Sequence, residues 1–420
     1  MNINAVVTKL HSPDTQNQLW TIISAGIFAI FPMLMMLIAT RLVGLSFAGL
    51  LAHAAALSVL PRLVSLFAVR GYQNIDVKRE FSFNNYLGLR TISASVSSLF
   101  FIIFLVVTGF EILHLLIILL FYFLYLVDVY ADVFMGDLQQ KGKMRIAGKM
   151  QASSFCAVLL AFSIIMFITQ TILLALAIAG LVVFCSYIVW IWIYRDHFGA
   201  IRVKVDFSTI KKLAWAVLPL LIYGFIVSYL ENAQKYYLSA FFSDDAVAIY
   251  AILMLPVSLL NLACVSFFLG AITTKTAVIL ADGQLNRFIK RINIQLLFAV
   301  GLFIPFILCV YFFGIPLLSW IYAVDLSPYQ KQLMILSFGG IVRAPIFVLA
   351  PVLVILRKQK MLLYSVIFVA LISGPLMWWL VLQYGISGAV FSNLVIYAPQ
   401  AVIFYVAYHV ALRGHKRDFK

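Results

Sequence analysis

Charge is scarce in this 420-residue chain: Asp, Glu, Lys and Arg together make up 11% of it, and only 15 residues are acidic. A soluble domain carries about a quarter charged residues, so a fold of this size could not cover itself with polar surface. Cysteine is limited to four positions (Cys156, Cys185, Cys264, Cys309), each inside an apolar run. They read as small core residues rather than disulfide halves or metal ligands. No P-loop, HExxH or CxxC pattern occurs, which argues against nucleotide hydrolysis, metalloprotease chemistry and dithiol chemistry. No loop is long enough to hold an active site of its own. The residues therefore predict no catalytic group, no metal and no cofactor, and a protein that is not an enzyme. A cleavable signal pattern is also missing, because the first apolar run is too long for a signal core and no small-residue cleavage site follows it.

What is present is apolar residue in long continuous stretches. Hydrophobic residues reach 64%, and the mean hydropathy is +1.06. Runs such as Leu113–Leu126 and Leu173–Ile193 do not alternate with the period of two that barrel strands need. Inside hydrocarbon each backbone amide must be satisfied within its own element, so helices are the remaining solution. At about 20 residues per span, the sequence predicts an all-α integral membrane protein of about twelve spans. They fall at Leu19–Ala39, Ala48–Val69, Tyr86–Gly109, Ile112–Met135, Ala147–Thr169, Ile172–Tyr194, Lys212–Tyr236, Ala246–Thr274, Asn293–Phe313, Leu333–Leu356, Leu362–Gln383 and Ile386–Leu412.

The formal charge of +15 is distributed by topology. With the N-terminus in the cytoplasm, 24 of the 30 Lys and Arg residues fall in cytoplasmic segments, including Lys9, Lys78, Arg79, Lys204, Arg357 and Lys420. Arg41, Lys235 and Lys331 fall outside, while Arg62, Arg90 and Arg343 lie within spans or near their ends. This obeys the positive-inside rule and predicts both termini in the cytoplasm. It also removes nucleic acid as a partner, since the basic charge is spread over loops. The connection Arg195–Lys211 is the natural boundary between two halves, residues 1–205 and 206–420, each with six helices in a six-plus-six arrangement.

Charges within the spans carry most information, because each is costly unless it is paired or faces a wet cavity. Arg62 sits roughly 12 Å inside its span at ~1.5 Å per residue. Arg343 is near mid-depth with no acid in its own span, which points to a cavity lining. Asp128 and Asp132 share one face of the fourth span, as residues four apart do. Asp128 reads either as a structural partner of Arg62 or Arg90 or as part of a transport path, and Asp132 as a hydrated group near the interface. Glu231 and Lys235 read as an ion pair within the seventh span. Cationic groups inside a two-halved bundle suit an anionic substrate, because guanidinium matches phosphate geometry. The candidate cavity residues are Arg62 and Arg343, then Arg41, Arg90 and Lys235. The candidate gates or ion-pair members are Asp128, Asp132 and Glu231.

Two stretches carry a resemblance: Val69–Arg90 (VRGYQNIDVKREFSFNNYLGLR) and Asp128–Lys149 (DVYADVFMGDLQQKGKMRIAGK), together with the turn Thr40–Gly49 (TRLVGLSFAG). They resemble the bacterial polysaccharide flippases, Wzx-type, of the multidrug/oligosaccharidyl-lipid/polysaccharide exporter (MOP) superfamily. The likeness covers the chain in span pattern and roughly its first 150 residues in motif. It implies two six-helix lobes around a central cavity in the bacterial cytoplasmic (inner) membrane. It also implies alternating-access translocation of undecaprenyl-diphosphate-linked oligosaccharide for O-antigen or capsule, with a polysaccharide polymerase and chain-length proteins as possible partners. This chain departs from the resemblance in having few cavity cations, and in carrying Arg at position 145 where an acid is expected. The rival readings are a cation-coupled small-molecule or drug antiporter of the same superfamily, which wants acids deep in a lobe, and a membrane polymerase or ligase, which wants a large outer loop.

Overall fold

The structure is a computed structural model and describes residues 13–76, 80–198, 201–203, 206–356 and 358–418. Lys9, Lys78, Arg79, Lys204, Arg357 and Lys420 of the basic set lie outside them. The described chain is helical: α1 Pro13–Val43, α2 Leu45–Leu66, α3 Val69–Ile75, α4 Phe83–Thr108, α5 Ile112–Gln140, α6 Met144–Thr169, α7 Ile172–Ile193, α8 Phe207–Phe241, α9 Asp244–Ala281, α10 Leu285–Cys309, α11 Ile315–Tyr322, α12 Gln330–Ile355 and α13 Gln359–Asp418. Among the described residues eleven helical segments are long and apolar enough to cross a membrane. The last of them, α13, is broken at Gly385 (φ 54°, ψ −127°). Residues 359–384 and 386–418 are therefore separate spans, which brings the number to twelve.

The break is set by glycine. Only a residue without Cβ visits that region of backbone space freely. Three residues on, a Cβ at Gly388 would lie 1.9 Å from the Leu380 carbonyl oxygen. The sequence reading also ends one span at Gln383 and begins the next at Ile386. It differs at the ninth span, which it ends at Phe313. Instead α10 passes through a π-turn, Val310–Gly314, directly into α11. Pro316 follows the π-turn, where the helical ladder is already interrupted, and the Tyr311 carbonyl accepts from Gln330 Nε2 at 3.1 Å instead. Gly314 lets Leu333 and Val310 approach closer than a side chain would allow.

Many large apolar side chains face outward, among them Phe100, Val107 and Phe167 at 68%, 80% and 76% exposure. In water this surface would be costly. In a bilayer it meets a solvent of its own kind, and the protein is a multi-pass membrane protein.

Two compact units divide the chain, Met1–Ser228 and Tyr229–Lys420. The division falls within α8 rather than in the connection before it, where the sequence boundary at 205/206 is drawn. Ile210, Leu213 and Val217 of α8 pack with Val69, Tyr86, Leu87 and Val133 in the first unit. Farther along, Gln234 of the same helix reaches Met377 Sδ in the second. In the first unit, small residues bring helices together without a hydrophobic driving force between them. The α2 run from Ala48 to Ala56 is almost wholly buried. Gly148 of α6 sits so near the Trp20 carbonyl of α1 that an added Cβ would be 2.6 Å from its oxygen.

Candidate functional site

The first unit contains a chain of ion pairs built from α2, α3, α4 and α5. Asp128, with its side chain 1% exposed, accepts from Arg62 Nη2 at 2.8 Å. Its other oxygen accepts from the Tyr187 hydroxyl at 2.9 Å and from Gln151 Nε2 at 3.2 Å. One turn on, Asp132 bridges two guanidinium groups, Arg70 Nη1 at 3.0 Å and the fully buried Arg90 Nη2 at 2.7 Å. The Arg62 guanidinium also lies over the Phe28 and Tyr125 rings, 4.6 and 5.3 Å from their centroids. A carboxylate holding three donors and a guanidinium stacked on two rings are compensated charges, the only kind that persists at this depth.

Backbone geometry supplies part of this network. Phe67 and Ala68 adopt left-handed φ of 45° and 50°, ending the α2 ladder. That leaves the Ser65 carbonyl open to side chains, and it accepts from Arg90 Nη1 at 3.1 Å and from Ser93 Oγ at 2.7 Å. Asp76 ties the following loop, accepting from the Glu80 and Phe81 amides and, at 2.7 Å, from the Tyr86 hydroxyl. A capping box then starts α4: Ser82 Oγ accepts from the Asn85 amide, and Asn85 Oδ1 accepts from the Ser82 amide.

The second unit holds a smaller group. Arg343 of α12 donates through Nη1 to the Tyr397 hydroxyl at 2.8 Å and through Nη2 to Glu231 of α8. Its guanidinium lies 4.5 Å from the Tyr397 ring centroid and 5.3 Å from that of Phe347. Unlike the Arg90 pair, this one stays partly open, with side chains 18% and 36% exposed for Arg343 and Glu231. Lys235 Nζ reaches Asn232 Oδ1 at 3.4 Å.

Three expectations change here. Arg343 is not an unpartnered cation, since the missing acid comes from another helix. The Glu231 carboxylate is engaged by Arg343, so the pairing with Lys235 four residues on is not the dominant one. Asp132 is not a merely hydrated group but the hinge of a two-arginine bridge. Asp128 takes the Arg62 partner that the sequence offered as one option. Arg41 lies at the edge of an apolar cavity of about 510 Å³ with Leu37, Ile38 and Phe167 among its walls, and is not a member of the Asp128–Asp132 network. Sequence reasoning missed Tyr187, Gln151 and Tyr397. Gln151 is a lone amide in an apolar span and left a trace; a tyrosine in such a run gives none. Among the described residues no cluster of three His, Cys, Asp or Glu forms a metal site.

A helical multi-pass membrane protein with compensated charges inside its spans is the class these features define. Its fold is that of the MATE transporters. A multidrug-resistance MATE family transporter of the MOP superfamily, in an inward-facing conformation, is similar over 96% of each chain, with a TM-score of 0.64 and 15% identity. An Asp-to-Asn variant of the Vibrio cholerae MATE transporter VcmN matches 97% of this chain and 98% of its own, at TM-score 0.64 and 14% identity. A MOP-superfamily transporter from Pyrococcus furiosus, reported with a binding pocket of reverse polarity, matches 95% of each chain at TM-score 0.55 and 12% identity. No family model and no curated protein sequence matches the chain.

Proposed function

We propose that this protein is a transporter of the MOP superfamily that works by alternating access. The observation that carries the proposal is the likeness to MATE transporters over nearly the whole chain. The finer reading favoured by those neighbours is antiport of a small molecule against a cation. On that reading the Arg343–Glu231–Tyr397 group is the substrate or ion site, because it is partly open and can exchange an internal partner for an external one. The deeply compensated Asp128 and Asp132 bridges then hold the first unit together.

A second reading, translocation of a lipid-linked diphosphate oligosaccharide, has its own support. Each internal charge group carries more cations than acids: Arg62, Arg70 and Arg90 against Asp128 and Asp132, and Arg343 and Lys235 against Glu231. The stretches Val69–Arg90 and Asp128–Lys149 add the likeness to polysaccharide flippases. On this reading the surplus cations meet phosphate oxygens, and O-antigen or capsule assembly is the consumer.

One reconstitution separates the two. Liposomes containing the purified protein are given a Na⁺ or H⁺ gradient, and two quantities are followed: movement of a fluorescent cationic dye, and leaflet exchange of a labelled polyprenyl-diphosphate sugar. Gradient-driven dye movement alone supports antiport, and lipid exchange alone supports the flippase. The absence of both would remove the transporter assignment.

A further inference from the structure

We propose that the α5–α6 turn, together with the start of α1, forms a binding site for the phosphate of an anionic lipid headgroup, separate from the ion-pair groups above. A cleft of about 430 Å³ opens there. Its walls include Lys143, Arg145 and Lys149, with Gln16, Asn17 and Tyr194, and no carboxylate among the described lining residues. Three cations around one concavity repel each other unless an anion joins them. The neighbouring Lys141 is different, since Asp137 neutralises it at 2.5 Å.

The cleft is built rather than incidental. Asn17 of α1 clamps the turn from both sides: its Nδ2 donates to the Gly142 carbonyl at 3.1 Å, and its Oδ1 accepts the Arg145 amide at 2.7 Å. Gly142 takes the left-handed φ of 71° that the turn needs. Gly148 allows the contact between α1 and α6, which brings Lys149 Nζ to 5.3 Å from the Trp20 ring centroid. Arg145 and Lys149 are one turn apart and share a face.

The surroundings indicate a lipid rather than a free solute. Trp190 stacks on Tyr194 with ring centroids 5.6 Å apart, and its indole N–H donates to Ser153 Oγ at 2.8 Å. Trp192 is exposed beside Arg195. Aromatic rings with polar tips gather where headgroups meet acyl chains, and basic clusters at that depth attract anionic lipids. The phosphodiester would sit against Arg145, with Lys143 and Lys149 on either side and Tyr194 at the acyl end.

The full-length protein in detergent is mixed with equal phosphatidylglycerol and phosphatidylcholine, and the retained lipid is read by native mass spectrometry. Wild type is expected to retain phosphatidylglycerol with a preference of roughly tenfold or more. K143Q/R145Q/K149Q loses that preference, while K141Q, which removes a cation outside the cleft, keeps it. Should the triple variant fail to fold, R145Q alone carries the test and must lower the preference at least roughly twofold. Adding millimolar inorganic phosphate separates the sources: a lipid site keeps its preference, and a free-phosphate site gives it up. Equal retention of the two lipids by wild type, an unchanged preference in the R145Q or triple variant, or loss of preference to inorganic phosphate overturns the proposal.

Discussion

At the residue scale, the protein uses arginine in two ways. Arg90 and Arg62 are cross-braces whose charge is spent on Asp132 and Asp128. Removing Asp128 leaves the mostly buried Arg62 guanidinium without its carboxylate, whereas Asp132 keeps Arg70 when Arg90 is lost. Asp128→Ala is therefore expected to destabilise the folded protein by about 3–5 kcal/mol, read as a lower thermal midpoint in detergent. Arg62→Met combined with Asp128→Leu should recover part of that loss, because no uncompensated charge remains while the Tyr187 hydroxyl and Gln151 amide still lose their acceptor. Arg343 is held more openly, by one carboxylate and one hydroxyl. Arg343→Lys should abolish transport in the reconstituted assay while the thermal midpoint stays near wild type, since an ammonium group cannot span Glu231 and Tyr397 in a planar fork. Transport retained by Arg343→Lys would move the substrate site elsewhere.

At the element scale, ends and breaks matter more than helix interiors. The capping box at Ser82 opens α4 next to the buried Arg90, and Ser82→Ala should cost about 1 kcal/mol. Amide exchange at the start of α4 would then quicken relative to the rest of the helix. The seventh span begins in a similar way. The Thr209 hydroxyl, followed by Ser208, bonds the Asp206 carboxylate and holds it below its ordinary value of 3.8. A depressed folded-state value means the cap is fully present above about pH 4, the ordinary carboxylate range, and is lost as pH falls through the lowered value. Amide exchange at Ser208 and Thr209 should accelerate on acidification below pH 4, and Asp206→Asn should remove that dependence. The hairpin at Gly385 and Gly388 is a different kind of joint. Gly388→Ala forces a methyl group onto the Leu380 carbonyl, and the expected result is a loss of folded protein rather than a small shift.

At the scale of the whole molecule, charge on the loops predicts an orientation and the apolar exterior selects the solvent. The basic residues predict that the α5–α6 turn lies in the cytoplasm and that the loop containing Asp325 lies outside. In a background with the four cysteines replaced by alanine, Asp325→Cys should react with an impermeant maleimide on intact cells. Gly142→Cys should react only after the membrane is opened. The reverse pattern would invert the orientation and, with it, the leaflet that supplies lipid to the basic cleft.

Span number and helical class were legible in the primary structure, and so was the presence of charge inside the spans. Hydrophobic run length and the cost of buried charge are local properties, readable one segment at a time. Partners were not legible, because an ion pair such as Arg343–Glu231 or Arg90–Asp132 joins residues far apart in sequence, and nothing in either segment names the other. The same limit hid Tyr187 and Tyr397, whose hydroxyls matter only where a distant helix delivers a charge. It also hid the continuation of α10 into α11, because the span bound at Phe313 gives no sign of the π-turn that carries the helix past it. The sequence alone thus determined that the chain must live in a bilayer as a bundle of helices, because its backbone and apolar surface have no other solvent. Only the tertiary structure decided which internal charges are braced and which stay partly open, because that depends on which helices meet.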